Sequence, residues 1–313
     1  MMSFLIFIFL IGINAAAGSN VLTTVLGLGE TKLDADVITT AMTVAGIVQG
    51  GLLMFAPNLS LRMYGTKDET LYSRFHAEGT GAAVLTVGVA CLCLFKMNLT
   101  LTETMGFASL VWVTEHILCL LKQYPSKMGV SPGGHIFWLL YSLMSIHACF
   151  LSAAYTQQLL FAGYLLFALT NVLGLIKPKM LGKIYGLQEM KLNDDEKEWL
   201  KGFCYENLAM CVFGMGLLAG VEAHKSLGFG SVVVVAHSAH SLVGRYSSNH
   251  LGVLGSSLMF LWMIFHASCA ATFISTEVGY LMASIIVAVT ALKITGVPSN
   301  FEFPQLASEE LTK

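Results

Sequence analysis

The sequence predicts an all-α, polytopic helical membrane protein, built as two parallel four-helix repeats followed by a ninth, C-terminal helix. Three observations carry that reading. The chain is 55% hydrophobic and only 12% charged, with a mean hydropathy of +0.71, which is more apolar surface than one soluble core can hide. Apolar stretches of bilayer-spanning length recur along its 313 residues. Several short motifs also occur twice, in the same order, at a separation of about 120 residues.

The first twenty residues, MMSFLIFIFLIGINAAAGSN, hold a short apolar run followed by small residues. This is the pattern of a signal peptide and its cleavage site, with a short anchor helix as the alternative. The expected crossings of the first repeat (37–156) are 37–56, 76–95, 104–121 and 135–155. Those of the second repeat (157–275) are 158–176, 203–221, 227–243 and 251–273. An additional crossing at 279–296 falls in 277–297, and a short tail follows at 298–313. Helices are required because lipid offers the backbone no partners, and the segments are too long and unbroken for barrel strands. The 30 glycines, with the Gly214 and Gly216 pair as an example, suit close helix approach in a membrane.

After the first crossing of each repeat comes a proline, six residues, then Tyr-Gly: Pro57, Tyr64 and Gly65 in PNLSLRMYG, and Pro178, Tyr185 and Gly186 in PKMLGKIYG. The two frames are related by one offset, 121 residues (178 − 57 and 185 − 64). Proline suits the first turn of a helix and glycine the position just past its end, so each frame predicts a short interfacial helix that turns the chain. Later anchors pair Phe75 with Phe203, Glu78 with Glu206, Tyr124 with Tyr246 and His147 with His266. Basic residues fall by twelve to two in alternate loops, which carry both Tyr-Gly frames. The positive-inside rule therefore puts those loops in the cytoplasm and the mature N-terminus outside, in the secretory-pathway or plasma membrane.

Ionisable side chains inside the spans mark where function would lie, since each is costly in hydrocarbon. The candidates are Glu78, Glu115, His116 and His147 in the first repeat and Glu206, His237, His240 and His266 in the second. Each half can gather a carboxylate from its second helix, a Glu or His from its third and a His from its fourth. His237 and His240 share a helix face, but spacing fixes no third ligand, so no metal site is assigned. The seven cysteines form no Cys-x-x-Cys pair and read as small buried hydrophobes. The stretch LNDDEKEWLK in the longest loop reads as a capped, solvated amphipathic helix, with docking as the alternative.

No catalytic motif is present: there is no His-Glu-x-x-His, no phosphate-binding glycine loop, no dinucleotide fingerprint and no Gly-x-Ser-x-Gly. With 17 basic against 19 acidic residues the chain has no electrostatic footprint for nucleic acid, and its expected partners are the lipid bilayer and other membrane proteins. The expected function is a small-solute or ion transporter. The alternatives are a non-catalytic accessory or assembly subunit, or a haem- or pigment-binding protein with His147 or His266 as axial ligand. No cofactor can be assigned.

Overall fold

The computed structural model describes residues 34–151, 153–184, 192–243 and 251–295, all-helical with no strand among them. The signal-like segment, Tyr185 and Gly186, Tyr246 and the C-terminal tail lie outside the described residues. The first half comprises α1 (Ala35–Phe55), α2 (Pro57–Met63), α3 (Leu71–Cys91), α4 (Leu101–Leu121), α5 (Tyr124–Met128) and α6 (Gly133–Phe150). The second comprises α7 (Thr156–Ile176), α8 (Pro178–Ile184), α9 (Asp194–Leu218), α10 (Ala223–Val243) and α11 (Val253–Phe273), with α12 (Thr276–Thr295) after it. A π-helical turn, Leu92–Lys96, extends α3.

Among the described residues, seven helices are long and apolar enough to cross a membrane: α1, α3 with its extension, α4, α7, α10, α11 and α12. The sequence reading counts nine, adding α6 and α9. α6 is the shortest of the long helices, at 18 residues, and α9 is the one diluted by charged and polar residues. α6 opens on Gly-Gly-His and carries His147, while α9 begins with Asp194, Asp195 and Glu196 and holds Glu206 and Asn207 further on.

The helix starts are written locally. Thr100 and Glu103 cap α4 reciprocally, and Asn193 and Glu196 do the same for α9. The first Pro…Tyr-Gly frame resolves as α2, with Pro57 in its first turn. Gly65 follows at φ +84°, and the amides of Gly65 and Thr66 bond back to the carbonyls of Arg62 and Leu61. This paired closure needs a left-handed residue, which is why glycine stands after Tyr64. The described part of the second frame, Pro178–Ile184, forms α8.

In each half the long helices pack in sequence order, α1 on α3, α3 on α4, α4 on α6, and likewise α7 on α9, α9 on α10, α10 on α11. The second long helices, α3 and α9, pack on each other at the centre; α6 meets α7, α11 touches α1, and α12 lies on α10 and α11. Small residues set the closest approach. A Cβ on Gly46 would lie 2.7 Å from Gly88 Cα, so α1 and α3 touch backbone to backbone there. All seven cysteines are buried and unbridged.

One end of the bundle corrects the sequence reading of LNDDEKEWLK. It is the start of α9 itself, continuous with the stretch expected as the sixth crossing, and it is docked rather than solvated. Asp195 and Glu196 are buried. Asp195 Oδ2 accepts the amides of Lys67 (2.9 Å) and Asp68 (3.1 Å), and Glu196 Oε1 accepts the Thr70 hydroxyl (2.6 Å). Trp199 Nε1 donates to Thr66 Oγ1 at 2.8 Å. The turn before α3 and the start of α9 therefore share one end of the molecule.

Candidate functional site

Two cavities flank the α3–α9 seam, of about 100 Å³ and about 80 Å³, each larger than the roughly 10–15 Å³ that one water needs. The larger is walled by α3, α4 and α6 of the first half together with α7, α8 and α9 of the second. The smaller is walled by α9, α10 and α11 of the second half together with α1, α3 and Tyr64 of the first. Each thus uses the second, third and fourth long helices of one half and the first and second of the other.

In the larger cavity α4 supplies Glu115 and His116, and the first turns of α6 supply His135. Glu115 Oε2 lies 2.6 Å from His116 Nδ1, but neither atom, nor His135 Nδ1, has a hydrogen-bond partner. The Cys119 thiol donates to Glu115 Oε1 at 2.9 Å, one helical turn along. The His116 and His135 rings meet edge to face at 5.6 Å. His76 on α3 lines the same space among Phe75, Trp112, Trp138 and Phe203.

In the smaller cavity Glu206 Oε1 lies 2.9 Å from His237 Nδ1, and Tyr205 stacks on His237 at 5.3 Å. His266 Nδ1 is 3.1 Å from Ser231 Oγ, and Gln49 Nε2 donates to the Tyr64 hydroxyl at 2.7 Å. Tyr64 meets Trp199 edge to face at 5.8 Å. A narrower cleft lined by Asp195, Glu198 and Ser241 shares Tyr64, Trp199 and His237 with this cavity, connecting it toward the docked end of α9.

The candidates separate as follows. Glu206, His237 and His266 come together, from the second, third and fourth long helices of their half. Glu115 and His116 come together in the other cavity. Glu78 does not join them. It is buried, but turns to Tyr124 Oη (2.5 Å) and Lys122 Nζ (2.7 Å), not to Arg74. Burial first, and then the Glu78 carboxylate, raise the Tyr124 phenol, so it stays a donor at neutral pH. His240 does not share a ligand position with His237; its Nδ1 lies 3.3 Å from the Tyr205 hydroxyl, and both histidines rest on that one ring. His147 is exposed near the end of α6, whereas His266 is buried, so His147 does not face the bundle interior as expected. The helix rotates it outward while Ala148 and Cys149 face in.

His135 and His76 escape the sequence reading. Matching the halves is blind to His135, because the offset that aligns His147 with His266, 119 residues, puts Leu254 opposite it. Tyr64 lies inside the smaller cavity, where the sequence expects an interfacial anchor. Comparison with known proteins gives no match to a family model, to a curated protein or to a solved structure.

Proposed function

We propose that the protein is a small-solute carrier formed from two equivalent four-helix halves, entering the membrane with the same polarity and with the Tyr-Gly elbows on the cytoplasmic side. The observation that carries this reading is the interchange of the two cavities: each is completed by helices of the other half. Carriers built from repeats hold their substrates at the repeat interface, and that interface here is the α3–α9 seam. The chain of packing partners, which reads the same when the halves are exchanged, supports the duplication.

The smaller cavity is the proposed substrate site. Its walls are mostly apolar, with Leu53, Val84, Phe213 and Trp262 among them, and its polar groups are Tyr64, Glu206, His237 and His266. This favours a small amphiphilic solute carrying an amine or hydroxyl group, read by the acid–imidazole pair while Tyr64 and Trp199 stand toward the cleft. The haem reading loses one of its two axial candidates, because His147 is exposed.

The test is proteoliposomes loaded with a pH-reporting dye and challenged with gradients of small amines and polyols. The expected result is solute-driven proton movement that Glu206→Gln abolishes and the surface change Glu222→Gln leaves intact. A wild-type response in Glu206→Gln would remove the pair from the mechanism. Silence from wild-type vesicles that hold folded protein would favour an accessory subunit instead.

A further inference from the structure

We propose that Glu115, His116 and His135 form a binding site for a single divalent first-row transition ion of the Zn²⁺ class, with Cys119 positioning the carboxylate. The three side chains are 3%, 6% and 9% exposed, and one ligand atom from each falls within 4.8 Å of the others. Glu115 Oε2, His116 Nδ1 and His135 Nδ1 have no hydrogen-bond partner. A buried polar atom left without a partner costs about 1–3 kcal/mol, so three on side chains of one buried cluster require an explanation.

An ion pair between Glu115 and His116 supplies only part of it. The two atoms are close, at 2.6 Å, yet misaligned for a hydrogen bond, and His135 would still be left over. One cation satisfies all three. An ion with bonds of about 2.1 Å in tetrahedral array needs donors about 3.4 Å apart. The trio brackets that spacing between 2.6 Å and 4.8 Å, so rotamer adjustments are enough.

The donor chemistry selects the ion. Two imidazoles and one carboxylate suit Zn²⁺, Fe²⁺ or Co²⁺ better than Mg²⁺ or Ca²⁺, which take oxygen ligands. Cys119 acts through Glu115: its thiol holds Oε1 and leaves Oε2 facing the histidines, as outer-sphere partners do for metal ligands. Three protein ligands leave a fourth position open toward the cavity, where His76 Nδ1, also without a partner, is a further donor. The site sits in the larger cavity and stands independently of whether the smaller one carries a solute.

The experiment uses the full-length protein purified in detergent, stripped with chelator and titrated with Co²⁺ and Zn²⁺, with metal content measured after equilibrium dialysis. Wild type is expected to bind one ion per chain, with the intense visible bands of low-symmetry Co²⁺ that Zn²⁺ then bleaches. His135→Ala and Glu115→Gln should weaken binding beyond about 100-fold, the upper range for loss of an outer-sphere partner. Cys119→Ser should weaken it by less, about 10-fold or under. His266→Ala and His240→Ala should bind as wild type. Monodispersity on size exclusion screens for folding, and His135→Asn replaces His135→Ala if the latter fails. No ion above background in wild type, or wild-type binding in folded His135 variants, overturns the site. The first result would leave bridging water as the partner of these atoms, and the second would assign the metal to an exposed histidine such as His147.

Discussion

Glu78 shows how strongly one side chain can depend on two neighbours. Its carboxylate is buried on α3 and is held by the Tyr124 hydroxyl and the Lys122 ammonium, the second of which is itself about one-third exposed. Removing the cation leaves a charge in a poor solvent, which typically costs about 3–5 kcal/mol, whereas removing one hydrogen bond to a charged group costs about 1.5–3 kcal/mol. Lys122→Met is therefore expected to lower stability more than Tyr124→Phe, and Glu78→Gln combined with Lys122→Met to recover much of the loss. Thermal unfolding of the four detergent-purified proteins checks the order. Equal small losses in both single variants would mean that Glu78 is neutral in the folded protein.

Among the helices, α9 makes the most informative contact. Its first turn presents three acids, which the helix dipole favours there in any case, but two of them are spent on the other half. Asp195 fixes the amides of Lys67 and Asp68, and Glu196 both closes its own capping box and holds Thr70, the cap residue of α3. The starts of the two central helices are thereby tied together. Asp195→Ala leaves two amides without their acceptor and is expected to cost about 2–4 kcal/mol. It should also speed hydrogen exchange at residues 66–70 while α4 is unaffected; unchanged exchange there would show that the tie carries no strain. The cap at Asn193 was legible because such signals are local. The docking was not, because nothing in LNDDEKEWLK states that the chain 128 residues earlier (195 − 67) lies beside it.

For the molecule as a whole, the class and most helix positions were legible because length and hydropathy report directly on the solvent a helix faces. The elbow was legible through Pro57 and Gly65, whose backbone requirements are local. The clusters were harder. Glu206, His237 and His266 were found because an acid or a histidine in an apolar run stands out, whereas His135, at the polar start of α6, resembles any residue near a helix end. Sidedness remains a matter of charge counting, and it can be tested simply, since every native thiol is buried. Lys67→Cys should react with an impermeant maleimide only after permeabilisation, and Glu222→Cys should react on intact cells. Labelling of both from the same side would remove the proposed topology.

The walls α3 and α9 are common property: each faces both cavities. A shift of either helix that improves the fit of an occupant on one side reshapes the space on the other. The two cavities are then linked in the thermodynamic sense, and the linkage runs both ways. Whatever factor an ion beside Glu115 imposes on the affinity for a solute beside Glu206, the solute must return to the ion unchanged. A cobalt titration repeated at saturating solute would read that factor, and a solute titration of the cobalt-loaded protein must reproduce it.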